Sequence, residues 1–242
     1  MFKAVLADPK LLKSSIDAIS NMIDEAGVSV DEKGIRLRAM DPAHVALVDF
    51  ELKKEAFDKF EVKGSIVLGL DLDRFNTILK RAGASDKISL ALDEDTNSLR
   101  IKFENTSTRT FNQPLIEVSE EELKVPNLDF PSTVELSPSI ISEAIKDAEI
   151  ISDHVTLKVD SGFLYVLAKG DLGNVEVKVA KGEAVQFEAE EEAQSMFSIE
   201  YLKDMVKASD VANSVRILIG DNLPVKMEFL APSARLSFLL AP

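Results

Sequence analysis

The chain of 242 residues contains no cysteine. That excludes disulfides and any thiolate metal site, and it fits a reducing compartment. Histidine is almost absent too: His44 and His154 are the only two, and neither stands at a metal-ligand spacing. His44 lies in a strand-like apolar run, a structural or surface position. The sequence has no Walker A loop, no GxGxxG after a strand, no HExxH and no GxSxG. Acid pairs such as Asp71/Asp73 fall where a helix begins, where carboxylates serve capping and the macrodipole. No convergent acid–base or metal set can be assembled, so neither an enzyme nor a cofactor is expected. No run of about 18 apolar residues is present to span a bilayer. The opening MFKAVLADPK has no signal-peptide character. No membrane partner is expected, and a cytoplasmic location is. Positive charge is scarce: 28 Lys and Arg stand against 42 Asp and Glu, a net charge of −14. Taken alone, that total argues against a simple nucleic-acid binder, because DNA is a polyanion.

What is present is globular. The chain is 45% hydrophobic and 29% charged, enough for one large core or two modest ones. The stretch Glu117–Pro131, EVSEEELKVPNLDFP, is acidic, carries two prolines and shows no sustained period. Proline disfavours helix at its own position and at the residue before it, so this stretch reads as an extended connector. The sequences on its two sides match each other. Pro9 of DPKLLKSSIDAISNMI aligns with Pro138 of SPSIISEAIKDAEIIS, an offset of 129 residues. Arg38–Asp41 faces Leu167–Asp171, and Thr108–Leu115 faces Ala234–Pro242 with Arg109 opposite Arg235. Phe75–Lys80 faces Leu202–Lys207 at an offset of 127. Four matches in one order indicate two copies of one domain: residues 1–116, a connector over 117–131, and residues 132–242.

Each copy reads as several antiparallel strands with two short helices, an α+β class. In the first copy, Phe2–Ala7 reads as a strand, and Asp8 and Pro9 open a helix. Its apolar stripe is Leu12, Ile16, Ile19 and Ile23, and Gly27 is expected to end it. A hairpin follows over Val28–Val30 and Ile35–Ala39, then a strand over His44–Leu52. Lys53–Phe60 is short, charged and unassigned. Ile66–Leu70 is a strand, and Asp71–Ala82 a helix with Leu72, Phe75, Leu79 and Ala82 inward. Strands over Lys87–Leu92, Ser98–Glu104 and Thr108–Ile116 close the copy. In the second, strands are expected over Thr133–Leu136, Val155–Val159, Phe163–Ala168, Asn174–Ala180, Val215–Ile219, Val225–Phe229 and Arg235–Leu240. Helices are expected over Pro138–Ala148 and Ile199–Ala208, and Glu188–Glu192 reads as a solvated loop. One apolar stripe per helix means that each lies on a sheet face. Opposite the stripes stand Lys10, Lys80, Lys146 and Lys207, flanked by Lys13, Arg81 and Lys203. Asp17, Asp73, Glu143 and Asp204 share those helices, so the faces are only mildly basic. From pattern alone they are solvated helix faces.

LRAMDPAHVALVDFEL (Leu37–Leu52), the acidic connector with its prolines, and the terminal LSFLLAP (Leu236–Pro242) resemble the archaeal DNA polymerase sliding clamps of the proliferating cell nuclear antigen family. The resemblance covers essentially the whole chain. MDPAHVALV and LAP are its most specific parts, and the helices match by position and pattern. Relatives usually carry a short polar tail where this chain stops at Pro242.

The resemblance implies a closed ring, a homotrimer, in which strands lie outside and helices line a hole around duplex DNA, with no catalysis and no cofactor. It also reconciles the charge. Lysines concentrated on the inner helices attract phosphates without sequence preference, while acids cover the outside. Lys10, Lys13, Lys80, Arg81, Lys146, Lys203 and Lys207 are then the DNA-facing residues. The connector borders a groove for short peptide motifs of DNA polymerase, clamp loader, flap endonuclease and DNA ligase. Its lining is expected from Met40, His44, Val45, Leu47, Leu128, Phe130, Pro224, Leu239, Leu240, Ala241 and Pro242. The subunit interface is expected to pair two edge strands, through Thr108, Arg109, Thr110 and Phe111 on one side and Val175, Glu176, Val177 and Lys178 on the other. The implied location is cytoplasmic and nucleoid-associated. Three alternatives differ in class: a paralogue that works only within a heterotrimeric ring, a DNA-modifying enzyme, and a scaffold that never touches DNA.

Overall fold

Period-two burial accounts for most of the architecture. Strand Ser98–Glu104 alternates with Leu99, Ile101 and Phe103 buried, and His154–Val159 with Val155, Leu157 and Val159 buried. One-sided burial of this kind fixes register, because a one-residue slip would turn every apolar side chain to water. The computed structural model describes residues 1–6, 8–119, 123–171, 173–189 and 191–242. It is an α+β structure, and its residues separate into two compact units.

The first unit comprises residues 1–40, 49–123 and 233–235. Its elements are β1 (Phe2–Leu6), α1 (Lys10–Ser20), β2 (Glu25–Asp31), β3 (Gly34–Met40), β4 (Ala46–Lys53, from Asp49 onward), β5 (Lys59–Val62), β6 (Ile66–Asp71), α2 (Leu72–Leu79), β7 (Lys87–Asp93), β8 (Ser98–Glu104) and β9 (Thr108–Pro114). One sheet runs β5-β1-β7-β8-β9, with Ala4 opposite both Phe60 and Leu90. Another run is β4-β3-β2-β6. The stripe Leu12, Ile16, Ile19 and Ile23 is buried, as are Leu72, Phe75, Leu79 and Ala82.

The second unit comprises residues 41–48, 124–232 and 236–242. It holds β10 (Ser132–Leu136), α3 (Pro138–Glu149), β11 (His154–Val159), β12 (Phe163–Gly170), β13 (Gly173–Ala180), β14 (Gln186–Ala189), β15 (Ala193–Ser198), α4 (Ile199–Met205), β16 (Ser214–Ile219), β17 (Val225–Ala231) and β18 (Ala234–Leu240). Its sheets run β14-β10-β16-β17-β18 and β13-β12-β11-β15. The order strand, helix, five strands, helix, three strands is the same from β1 to β9 and from β10 to β18. The internal repeat in the sequence is therefore a repeat of structure.

Several expectations are corrected at element ends. Gly27 does not end α1. The helix stops at Ser20, after which Met22 and Ile23 N–H both return to the Ile19 carbonyl, and Gly27 sits inside β2. Asp8 does act at the entrance, taking the Lys10 N–H at 2.8 Å. The strand expected from His44 begins only at Ala46, because His44 has φ 59° and belongs to a turn. Few non-glycine residues adopt that conformation. The helix expected to Ala208 ends at Met205 and tightens into a 3-10 segment, Val206–Asp210. The helix expected over Asp71–Ala82 is α2 alone, with Asp71 as its cap accepting the Arg74 N–H at 2.8 Å. The unassigned Lys53–Phe60 contains a 3-10 turn, Lys54–Ala56, and the start of β5. The loop expected over Glu188–Glu192 includes the end of β14. Ala7, Glu120–Glu122 of the connector and Glu190 lie outside the described residues.

Candidate nucleic-acid and partner surfaces

Three surfaces carry the residues singled out in the sequence. The first is the helix face turned away from each sheet. Lys10, Lys80, Arg81, Lys146, Lys203 and Lys207 are exposed and Lys13 is half-buried. Four of the seven are ion-paired. Lys80 Nζ lies 2.6 Å from Asp17 of α1, Lys146 2.7 Å from Glu143, Lys203 2.5 Å from Glu149 of α3, and Lys207 2.7 Å from Asp204. Hydrogen bonding to Glu143 and to Glu149 holds the Lys146 and Lys203 ammonium groups above their ordinary range. Lys13 Nζ donates to the Ala82 carbonyl. The faces thus carry cations on all four helices or their ends, most of them already partnered.

The second surface surrounds the turn before β4. Asp41 is 3% exposed and its carboxylate organises the turn. It accepts Ala43 N–H at 3.1 Å, Val45 N–H at 2.8 Å, Ala46 N–H at 2.7 Å and the Tyr201 hydroxyl of α4 at 2.7 Å. Burial works to raise its pKa, and the bonds from Ala46, Tyr201, Val45 and Ala43 outweigh that, so the pKa falls below the ordinary 3.8. The same bond to Asp41, with burial, pushes the Tyr201 hydroxyl up to about 12. Sequence reading missed this hub, although Asp before Pro at the start of a turn is its signal. His44 and Val45 are exposed at the tip, and the Val45 carbonyl accepts Ala241 N–H at 2.9 Å. Turn and C-terminal segment are therefore adjacent in the second unit. Pro242 is exposed there; Leu128, Phe130, Pro224, Leu239 and Ala241 are half-buried. Met40 is half-buried at the end of β3 in the first unit. Leu47 and Leu240 depart from the expected lining, being only 4% and 1% exposed. Ala46, Leu47 and Val48 are all buried in β4, and alternation in β18 turns Leu236, Phe238 and Leu240 inward. Neither leucine offers a partner appreciable surface.

The third surface is sheet edge. Six strands end a sheet among the described residues: β5, β9, β6, β14, β13 and β15. β5 and β14 have four residues each. β6 is covered where Gly69 accepts Ile116 N–H at 3.0 Å; a Cβ there would stand 2.0 Å from the Ile116 oxygen, so only glycine permits the approach. β15 is covered where the Gln194 carbonyl takes Asn222 N–H at 3.0 Å. β9 and β13 have seven and eight residues, and neither shows an outer-side backbone bond among the described residues. Thr108, Thr110, Glu176 and Lys178 are exposed on them; Arg109, Phe111, Val175 and Val177 are half-buried. Arg109 is held within its unit by Asp86, by the Arg81 carbonyl and by the Phe103 ring, whose centroid is 5.3 Å away. Lys178 Nζ stands 3.9 Å from the Phe163 ring centroid.

Among the described residues, no group of three or more His, Asp or Glu side chains is placed to hold a metal ion, and no helix is long and apolar enough to cross a membrane.

Residues 1–129 match the proliferating cell nuclear antigen N-terminal domain, and residues 124–242 match its C-terminal domain. The chain belongs to the proliferating cell nuclear antigen family. It is 38% identical to the DNA polymerase sliding clamp of Methanococcus maripaludis over 100% of this chain and 98% of that one. It is 38% identical to DNA polymerase sliding clamp 1 of Thermococcus kodakarensis, with the same coverage. A crystal structure of proliferating cell nuclear antigen from Thermococcus kodakaraensis superposes with a TM-score of 0.93 at 27% identity, over 100% of both chains. The Entamoeba histolytica protein, at 23% identity and a TM-score of 0.92, shares the fold. Both family domains thus lie on this one chain, in the order that its repeated elements follow.

Proposed function

We propose that this protein is a DNA sliding clamp, a non-enzymatic processivity factor that encircles duplex DNA and tethers the replicative polymerase. The observation that carries the reading is the full-length relationship to sliding clamps, 100% of this chain against 98% of theirs. The domains of the working protein are residues 1–116 and 132–242, joined by the connector 117–131. The DNA-facing surface is the set Lys10, Lys13, Lys80, Arg81, Lys146, Lys203 and Lys207. Primer extension on singly primed circular DNA with a clamp loader tests this. Product length should rise when the protein is added, and unchanged length sinks the reading.

The ring is a homotrimer closed by β9 of one copy against β13 of the next. Two observations support that choice of strands. They are the long uncovered sheet edges, and they are the repeat counterparts of β18 and β4. Those two strands are themselves sheet neighbours, with Lys53 N–H on the Ser233 carbonyl at 2.8 Å. A head-to-tail contact of this kind closes into a ring when the rotation permits. Val177→Pro removes a ladder donor and should weaken the contact by roughly 3 kcal/mol or more. Sedimentation velocity should then show the trimer dissociating, and an unchanged mass rules out the pairing.

Client peptides of DNA polymerase, clamp loader, flap endonuclease and DNA ligase dock beside the turn and C-terminal segment, on Met40, His44, Val45, Leu128, Phe130, Pro224, Leu239, Ala241 and Pro242. Leu128→Ala should weaken a client peptide by on the order of 2 kcal/mol if it is an anchor. Calorimetric titration of the peptide against a folded ring decides it, and equal affinity removes Leu128 from the site.

A further inference from the structure

The helix faces hold a second kind of residue besides the cations. Glu143 and Lys146 lie on α3, Glu149 ends α3 beneath Lys203 of α4, and Asp204 precedes Lys207 by three residues. The carboxylate of Glu149 stands at the C-terminus of α3, where the macrodipole disfavours negative charge. The Lys146–Glu143 and Lys203–Glu149 pairs are solvent-exposed and Lys207–Asp204 is partly so, and pairs open to solvent contribute little to stability. Acids that do little for the fold and occupy DNA-facing lysines call for another explanation.

We propose that Glu143, Glu149 and Asp204 set how weakly this protein holds duplex DNA, by competing in cis with phosphate for Lys146, Lys203 and Lys207. The inference rests on the DNA-facing reading of the helices. A lysine that must leave a carboxylate 2.5–2.7 Å away before it meets a phosphate exchanges one anion for another. The electrostatic gain per contact is small, and the contact is readily surrendered to the next phosphate along the duplex. Weak, replaceable contacts let a protein move along DNA, whereas a fully unpaired set of lysines would grip it. Asp17 does the same for Lys80 at 2.6 Å, but it also receives the Asn76 amide, so it has a structural duty as well.

The test uses the full chain and a fluorescent duplex of about thirty base pairs, long enough to cross several phosphates of the backbone. Its affinity is read by anisotropy across a salt series for four proteins: wild type, Glu143→Gln/Glu149→Gln/Asp204→Asn, Lys146→Gln/Lys203→Gln/Lys207→Gln, and a charge-matched control, Glu55→Gln/Glu183→Gln/Glu191→Gln. The control acids are exposed. The acid variant should bind more tightly, by roughly twofold to fivefold for each lysine released, and its affinity should fall more steeply with salt, because more phosphates are neutralised. The lysine variant should bind more weakly. If the lysine variant weakens while the acid variant equals wild type, the inference is wrong and the DNA-facing reading stands. Equal affinity in all four proteins removes both. If the control tightens as much as the acid variant, net charge alone is responsible and the competition is refuted.

Discussion

The two helix pairs, α1 with α2 and α3 with α4, follow one plan but have different polar wiring. In the first pair Asn76, 7% exposed, donates to Ser20 Oγ at 2.8 Å and to Asp17 Oδ1 at 2.9 Å, and Lys80 reaches Asp17. Moved by the repeat offsets, Ser20 becomes Glu149, Asn76 becomes Lys203, Asp17 becomes Lys146 and Lys80 stays a lysine as Lys207. The buried amide–hydroxyl bond is thereby replaced by an exposed ion pair, Lys203 with Glu149. The Lys80–Asp17 pair would become two lysines side by side, and each instead takes the acid three residues before it. The apolar stripes that seat the helices are common to both copies. Their polar rims are not, which shows that the stripe specifies the packing and the rim is free to change.

The strongest way to break that comparison is through the stripe. Phe75 and Leu202 are repeat counterparts, 3% and 0% exposed. If the stripe is the shared determinant, Phe75→Ala and Leu202→Ala should both be severe, about 3–5 and 2–5 kcal/mol respectively. Urea unfolding followed by circular dichroism measures both, and a loss below about 1 kcal/mol at either site contradicts it.

The rim should respond unequally. Asn76→Ala leaves the buried Ser20 hydroxyl short of a donor, a cost of roughly 1–3 kcal/mol. Its counterpart Lys203→Ala removes only exposed partners, and its unfolding midpoint should not move outside experimental error. Equal losses in the two variants would mean that the buried network and the exposed pair are energetically alike.

A smaller effect sharpens the contrast further, because α4 alone carries a tyrosine bonded to the Asp41 turn; the counterpart of Tyr201 is the exposed Arg74. Tyr201→Phe should cost about 1 kcal/mol at neutral pH. Tyr201 has a raised folded-state pKa of about 12 against an ordinary 10.0. The stability it contributes is therefore fully present below pH 10.0 and lost as pH climbs through about 12. Asp41 has a lowered pKa, so its contribution is present above an ordinary 3.8 and lost as pH falls through the folded value. The variant should lose the alkaline limb and shift the acid limb to higher pH. Stability–pH curves that overlay in shape for both proteins would separate Tyr201 from Asp41.

The shared plan was legible in the sequence, since apolar stripes at helical spacing and alternating strands occur twice in one order. What is specific to one copy was harder to read. β5 and β14 are four-residue strands, each with two charged or polar residues at alternate positions, and too short for a period to register. Asn76 carries no signal of its own in the sequence; its bonds to Ser20 and Asp17 depend on how α1 and α2 pack. The cations of the helix faces could be placed on a wheel, and Glu143 and Asp204 stand three residues before their lysines, but the partners of Lys80 and Lys203 lie on neighbouring helices, and that pairing depends on how two helices cross. Leu47 and Leu240 show the converse limit: a resemblance carried them to a partner surface, whereas the strand alternation at β18 had already directed Leu240 inward.

The strand neighbours β4 and β18 also have a consequence in time. Asp49 accepts Arg235 across a separation of 186 residues, and Asp41 accepts Tyr201 across 160. A ribosome adding about 5–20 residues per second needs roughly 10–40 seconds to cover the longer gap. Through that interval the first copy has its stripe and most of its strands but lacks residues 233–235, and the second cannot use residues 41–48 until it exists. The nascent chain must therefore hold β4 open, with its buried run Ala46–Val48 waiting, until the last strand is released. The final ten residues, although few, decide when either copy is finished.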